Sequence, residues 1–256
     1  MSTQRLEGRS AIITGGAGVL GRAIARVFVR EGARVLLVDL EEQALVAACA
    51  ELGDRAGWIM ADVTRCEDAA RYVRAAVEHH GGVDVLVCNA GIEGVVADIA
   101  DYPYEIYRKV MAVNVDGTFL GLKYAMPAMA DRGGGSVVIM SSNSGLRGAN
   151  GMSAYVGSKH AVIGLMRVAT LEGAPHGIRV NTVNPSPIDS VMMERLEAGF
   201  APGAAAEART AIEKSIPFGR YGTPEEVANL VLFLASSESS YCSGGVYVID
   251  GGRTAK

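Results

Sequence analysis

The sequence predicts an α/β fold, a doubly wound parallel sheet of seven strands with helices on both faces. Short apolar runs alternate with longer amphipathic ones along all 256 residues, and alternation of this kind builds βαβ units. The short runs are nearly continuous in apolar character, as strands buried on both faces require. Glycine is unusually abundant at 32 residues. It gathers at the ends of the runs, where tight turns and close backbone approaches need it.

Taken in order, residues 10–14, 34–38, 56–61, 83–88, 135–141, 178–183 and 246–249 read as strands, short and bounded by Gly, Asp or Asn. Between them, residues 20–31, 41–52, 66–79, 104–131, 153–174 and 224–235 carry helical patterns. Right-handed crossovers then place helices on both faces. Pro127 falls inside the fourth helix and predicts a kink or an early stop. Residues 185–215 exceed a normal connection and hold Met192, Met193, Leu196 and Phe200 at helical spacing. Such an insertion is either a lid over a site or a helix pair packed on the surface. With no Pro/Ser linker and no internal repeat, one domain over residues 1–256 is expected, with a substrate lid near 186–215.

Composition narrows the function. Hydrophobic residues make up 49% and charged residues 20%, which excludes a disordered chain. The formal net charge is −4, so the basic footprint of a nucleic-acid binder is absent. No apolar run approaches the roughly 18 residues of a membrane helix. Residues 1–10 lack the apolar core of a secretory signal. A cytoplasmic protein with no nucleic-acid and no membrane partner is expected. Cys49, Cys66, Cys88 and Cys242 form no CxxC pair and are expected as buried free thiols. The four histidines show no zinc spacing, so no protein-bound catalytic metal is expected.

The first strand runs directly into Thr14-Gly15-Gly16-Ala17-Gly18-Val19-Leu20-Gly21 and a helix. Strand, glycine turn and helix make the phosphate cradle of a dinucleotide site. Gly16, Gly18 and Gly21 satisfy GxGxxG, a weak pattern alone and a stronger one in this context. Asp39 closes the second strand, where a carboxylate can accept hydrogen bonds from ribose hydroxyls and repel a 2′-phosphate, favouring NAD over NADP. It could instead cap the next helix. Position 40 is Leu40 rather than Arg or Lys.

Further on, Tyr155 and Lys159 open a helix four residues apart and share one face. Together with the glycine turn, Asp62-Val63, Asn89-Ala90-Gly91, Asn114, Ser141-Ser142, Pro185 and Asp250-Gly251-Gly252, they resemble the short-chain dehydrogenase/reductase family over essentially the whole chain. The resemblance implies a Rossmann fold and a catalytic set of Asn114, Ser142, Tyr155 and Lys159. Ser142 matches rather than Ser141 because it precedes Gly145 by three positions. In the implied chemistry Tyr155 is the general acid/base. A free tyrosine titrates near about 10, and Lys159 together with the positive nicotinamide would favour tyrosinate. Ser142 would polarise the substrate oxygen, and Asn114 would hold a water linking Lys159 to solvent.

The resemblance also implies the cofactor contacts. Gly15, Gly18, Val19, Leu20 and Gly21 would face the pyrophosphate, and Asp39 and Leu40 the adenosine ribose. Asp62 and Val63 would line the adenine, and Asn89, Ala90 and Gly91 would support the central strands and the adenosine side. Tyr155 and Lys159 would meet the nicotinamide ribose, and Pro185, Ile188 and Ser190 the nicotinamide amide. Asn89 could equally serve the local backbone alone.

Two positions depart from the family pattern. Val19 replaces a glycine, so either position 19 has an ordinary conformation or the turn is shifted by one residue. Asn184-Pro185-Ser186-Pro187 stands where the family has Pro-Gly, and Pro187 biases Ser186 toward extended backbone.

The expected activity is NAD-dependent hydride transfer between a small, largely apolar secondary alcohol or ketone and the nicotinamide. The alternative is a catalytically silent NAD-binding sensor on the same fold, disfavoured by the retained Tyr155 and Lys159. A halohydrin dehalogenase would carry Arg at position 159, and an enoyl reductase would space its Tyr and Lys more widely. Glu93 could meet a substrate hydroxyl or be an exposed loop acid. By resemblance the protein is a homotetramer or dimer, assembled through the helices at 104–131 and 153–174 and the C-terminal strand.

Overall fold

A computed structural model describes residues 4–255. Residues 1–3 and 256 lie outside the described residues, and with them the start of the segment read as lacking a secretory signal. Seven parallel strands form one sheet in the order β3-β2-β1-β4-β5-β6-β7. They are β1 Ser10–Thr14, β2 Arg34–Asp39, β3 Ala56–Met60, β4 Val85–Cys88, β5 Gly135–Met140, β6 Ile178–Pro185 and β7 Val246–Ile249. The helices are α1 Val19–Arg30, α2 Glu42–Leu52, α3 Cys66–His80, α4 Tyr104–Met111, α5 Gly117–Asp131, α6 Ser153–Gly173, α7 Val191–Phe200, α8 Ala205–Ser215 and α9 Pro224–Ala235.

The central strands are buried on both faces, and their side chains divide by parity. Ala11, Ile13, Val35, Leu37, Val85, Val87, Val138 and Met140 face a core built with α1, α2 and α9. Ile12, Leu36, Val38, Leu86, Cys88, Val137 and Ile139 face the other core, built with α3, α5 and α6. A strand that buries both faces has no polar position to alternate, hence the unbroken apolar runs. The edge strands differ: β3 and β7 are only partly buried, and Trp58 and Met60 on β3 are exposed. Each has one neighbour in the sheet and less cover above and below.

Local chemistry fixes several boundaries. Thr223 opens α9 with a reciprocal cap: its Oγ1 accepts from Glu226 N at 3.2 Å, and Glu226 Oε2 accepts from Thr223 N at 2.7 Å. Gly81 closes α3 in a left-handed conformation at φ 81°. Of the kink or early stop expected at Pro127, the early stop does not occur: α5 runs through it to Asp131. The helix deforms earlier, in a π segment at Ala112–Asp116. There the buried Asn114 side chain bonds outside its own helix, and such bulges recur where a helix serves a site.

The cysteines are free, but only Cys88 is fully buried; Cys66 is exposed and Cys49 and Cys242 are intermediate. The expectation of buried thiols is therefore corrected for Cys66, which lies at the open first turn of α3. Among the described residues no helix is long and apolar enough to cross a membrane.

Candidate active site

Strand order reverses direction at β1, between β2 and β4, and the loops beyond the carboxyl ends of the strands there form a crevice. Gly15 leaves β1 at φ 64°. A Cβ on it would come within 2.9 Å of Ala90 Cα and Asn89 Nδ2, so only glycine fits. Asn89 Nδ2 donates to Thr14 O at 3.0 Å and Gly15 O at 3.1 Å. Thr14 Oγ1 accepts in return from Asn89 N at 3.0 Å and Ala90 N at 3.1 Å. These bonds stitch β4 to the turn. Thr14 was not singled out in the sequence, because a threonine at a strand end carries no signal of such a partner.

Gly18 is the extended N-cap of α1, and Val19 is its first helical residue. Among the described residues no side chain but glycine has positive φ, so position 19 is ordinary and the turn is not shifted. No side chain caps α1 and no acid lies in its first turn, which leaves its N–H groups free for an anion. Asp39 does not cap α2, whose N-cap is Glu41. Its Oδ2 accepts from Ala17 N at 3.0 Å and its Oδ1 from Leu40 N at 2.8 Å, so it braces the glycine turn. Leu40 beside it is exposed. At the end of β3, Asp62 Oδ1 accepts from Thr64 N at 2.9 Å and Thr64 Oγ1 at 2.7 Å. Val63 is buried against Gly117, where a Cβ would lie 2.8 Å from Val63 Cγ2.

Across the crevice, β5 leads into Ser141 and Ser142, and the first two turns of α6 carry Tyr155 and Lys159. The Ser141 hydroxyl is turned away and donates to Lys159 O at 2.9 Å. The Ser142 hydroxyl donates to Asn143 Oδ1 at 3.4 Å, its Oγ accepts from Ser144 N at 3.1 Å, and it lines the same cavity as Tyr155. Lys159 is buried, donates from Nζ to Met140 O at 2.7 Å, and sits 5.5 Å from the Tyr155 ring centre. Burial pulls the Lys159 ammonium down to about 8, because the charged form loses water without gaining an acid. Burial also raises the Tyr155 phenol; the nearby Ser142 hydroxyl opposes this, and the Glu93 carboxylate adds to it.

Asn114 is buried in the π segment. Its Nδ2 donates to Ile92 O at 3.0 Å and Ser158 Oγ at 2.9 Å, and its Oδ1 accepts from Ile92 N at 2.8 Å. A Cβ on Gly91 would stand 3.3 Å from Asn114 Oδ1 and 3.4 Å from Lys159 Nζ, so both polar groups border the same glycine.

A cavity of 730 Å³ opens here, reaching Leu20, Asn89 and Gly91 on one side and Ser142, Tyr155 and Lys159 on the other. Pro185, Ile188 and Ser190 close a third wall. Ser190 caps α7, accepting from Met193 N at 3.4 Å. Ser186 has ordinary backbone geometry and bonds β7 through Ile249 O at 3.0 Å. The remaining expected cofactor residues (Gly15, Gly18, Val19, Gly21, Asp39, Leu40, Asp62, Val63 and Ala90) lie outside the cavity walls, along β1 to β4.

The insertion is a helix pair, α7 and α8, with Met192, Met193, Leu196 and Phe200 lining the cavity. The exposed-acid alternative for Glu93 is corrected: the side chain is buried and pairs with Arg195 of α7, Nη1 to Oε1, at 3.2 Å. That partner lies about a hundred residues away, beyond the reach of local pattern. Arg147 and Arg253, also in the cavity wall, were missed for the same reason.

Comparison with known proteins agrees with this architecture. A family model described as "Enoyl-(Acyl carrier protein) reductase" matches residues 15–254. The chain is 38% identical to zerumbone synthase of Zingiber zerumbet, covering 97% of this chain and 95% of that protein. It is 37% identical to the 3-alpha-(or 20-beta)-hydroxysteroid dehydrogenase of Mycobacterium tuberculosis (strain ATCC 25618 / H37Rv), covering 98% and 91%. Among solved structures, levodione reductase superposes with a TM-score of 0.95 at 35% identity, covering 98% and 99% of the two chains. NAD⁺-bound xylitol dehydrogenase gives 0.92 at 30% identity, covering 97% and 100%. With the glycine turn, the sheet order and relatives of this likeness over nearly full length, the chain belongs to the short-chain dehydrogenase/reductase family and is an oxidoreductase.

Proposed function

We propose that the protein transfers a hydride between a secondary alcohol or ketone and NAD, with Tyr155 exchanging the hydroxyl proton. One observation carries the proposal. The Ser142 and Tyr155 hydroxyls and the Lys159 ammonium converge in a cavity that also reaches Leu20, at the uncapped end of α1. The turn suits a dinucleotide, since its glycines leave no side chain in the way and the α1 N–H groups are unspent. Gly15 and Gly18 to Gly21 would hold the pyrophosphate. Asp39 and Leu40 would meet the adenosine ribose, Asp62 and Val63 the adenine, and Asn89, Ala90 and Gly91 the adenosine side. Pro185, Ile188 and Ser190 would take the carboxamide. Asp39 supports NAD over NADP, because a 2′-phosphate would meet a carboxylate. When bound, the nicotinamide accepts or supplies the hydride.

In oxidation, the Tyr155 phenolate takes the hydroxyl proton while Ser142 Oγ–H donates to the same oxygen. Burial and Glu93 hold the phenol above its ordinary value. The ammonium of Lys159 opposes them, and Lys159 is placed to bond the nicotinamide ribose. Asn114 serves the proton path between Lys159 and solvent, supported by their shared border at Gly91. In reduction the steps reverse, and Tyr155 protonates the carbonyl oxygen.

The chain acts as one domain over residues 1–256, and α7 and α8 serve as the lid, their apolar side chains covering a largely apolar substrate. Assembly as a homotetramer or dimer is supported by apolar groups left exposed on the outer helices, among them Tyr104 on α4, Phe119 on α5 and Leu171 on α6.

The test is an assay with NAD⁺ and NADP⁺ against secondary alcohols, with Tyr155→Phe alongside. NAD-dependent turnover lost in the variant supports the proposal. NADH binding without turnover of any alcohol would favour the sensor instead.

A further inference from the structure

We propose that the substrate of this site carries an anionic group, a carboxylate or a phosphate, which is seated between Arg147 and Arg253. This deepens the oxidoreductase reading above and rests on it.

Arg147 follows the 3₁₀ turn Asn143–Gly145 that leads out of Ser142, and Arg253 lies just beyond the Asp250-Gly251-Gly252 segment. Both line the cavity that holds Ser142, Tyr155 and Lys159. Among the described residues neither guanidinium forms a salt bridge or a side-chain hydrogen bond. Every other arginine that forms a salt bridge does so outside this cavity wall. Arg253 Nε is buried with no partner at all, an arrangement that leaves a desolvated donor unpaid for unless a ligand meets it. Burial first and the neighbouring Arg147 second push the Arg253 guanidinium down, against a smaller opposing pull from Tyr221 and Asp250, so the two cations are close enough to repel.

Among the described residues no nearby acid forms an ion pair with either guanidinium. Asp250 is committed to its own turn, accepting from Gly252 N at 2.9 Å, Thr254 N at 2.7 Å and Thr254 Oγ1 at 2.6 Å. Asp98, exposed in the cavity wall, forms no ion pair with either arginine. Two like charges held together in a cavity, one partly desolvated, favour a bound oxyanion. A third unspent donor, the buried Asn143 Nδ2, lines the same cavity. The same cavity has apolar lining from Val96, Met192, Met193, Leu196 and Phe200. The cavity therefore fits an amphipathic molecule, with an apolar body under α7, a hydroxyl at Tyr155 and an anion at the arginines.

The test separates this proposal from the hydride-transfer reading by measuring binding as well as turnover. Cyclohexanecarboxylate, cyclohexyl phosphate and the neutral cyclohexanecarboxamide are titrated calorimetrically into the protein with NADH. The same titrations are run on Arg147→Gln/Arg253→Gln. In parallel, 4-hydroxycyclohexanecarboxylate and its methyl ester are assayed with NAD⁺. At least one anion should bind the wild type roughly tenfold or more tightly than the amide, and the double variant should lose that preference. The carboxylate-to-ester ratio of kcat/KM should fall toward one in the double variant. The tighter of the two anions names the group. Equal binding of amide and anions, no binding of any probe, or a preference untouched by the double variant overturns the anion site. Anion binding without turnover of either alcohol supports the site while counting against the hydride-transfer reading.

Discussion

Adding one methyl group at Gly21 and one at Gly18 should have opposite consequences, and the geometry of the glycine turn says why. A Cβ on Gly21 would lie 2.8 Å from Gly16 Cα and closer still to Gly15 O. Both are backbone atoms, so nothing cheap can move. Overpacking costs about 1–3 kcal/mol, and two backbone contacts under 3.0 Å place Gly21 at the upper end, about 2–3 kcal/mol. Alanine regains about 1 kcal/mol of helix propensity over glycine, leaving a net loss of about 1–2 kcal/mol. For a chain of this size, that lowers Tm by about 2–8 °C. A Cβ on Gly18 meets only Gly15 O, at 3.3 Å, and its backbone at φ −72° suits alanine. Gly18→Ala should therefore keep its Tm within about 2 °C of wild type, since the change is worth under about 1 kcal/mol. It would still put a methyl group where a pyrophosphate must approach, weakening NADH at least about tenfold, or about 1.4 kcal/mol. Thermal unfolding and NADH fluorescence titration measure both variants. A Gly21→Ala protein with wild-type Tm would refute the packing argument. A Gly18→Ala protein with undiminished NADH affinity would refute the close approach at the turn.

Other outcomes follow from the same site. Asp39→Ala should raise NADP⁺ use relative to NAD⁺ in steady-state assays; an unchanged cofactor ratio would remove Asp39 from cofactor choice. Glu93→Gln removes a carboxylate that holds the Tyr155 phenol up, so the acidic limb of the oxidation rate should shift to lower pH; a shift upward would contradict that role. Lys159 is depressed to about 8 from an unfolded value near about 10.4. Between those values the unfolded chain binds more protons than the folded one, so this group makes stability rise with pH across that window. Chemical denaturation from pH 7 to 10 should therefore show a rise in wild type that exceeds that of Lys159→Met by about 2–3 kcal/mol. Equal pH dependence in the two proteins would mean that Lys159 is not desolvated as described.

The strands were legible because a doubly covered sheet writes each strand as an unbroken apolar run, as Ala11–Ile13 and Val35–Val38 do. Boundaries moved by a residue or two, most visibly in β6, which extends to Pro185; its terminal position needs no donor toward the sheet. The glycine turn and the Tyr155–Lys159 pair were legible because their partners are local or fixed by helical spacing. The π segment was not. It carries Asn114, whose partner Ile92 lies in the loop after β4, and side-chain periodicity carries no trace of that. The second helix of the insertion, α8, was hidden by its small and polar residues, none of which is buried. The Glu93–Arg195 pair and the neighbouring Arg147 and Arg253 join positions far apart in sequence, so only the folded chain brings them together.

The most direct test of the central claim compares wild type with Tyr155→Phe, following nicotinamide absorbance with NAD⁺ and a substrate alcohol while NADH affinity is measured separately. The account predicts that the variant binds NADH as wild type does and loses turnover by about 10²-fold or more. Full turnover by Tyr155→Phe would contradict it, because the proton would then leave the substrate by another group.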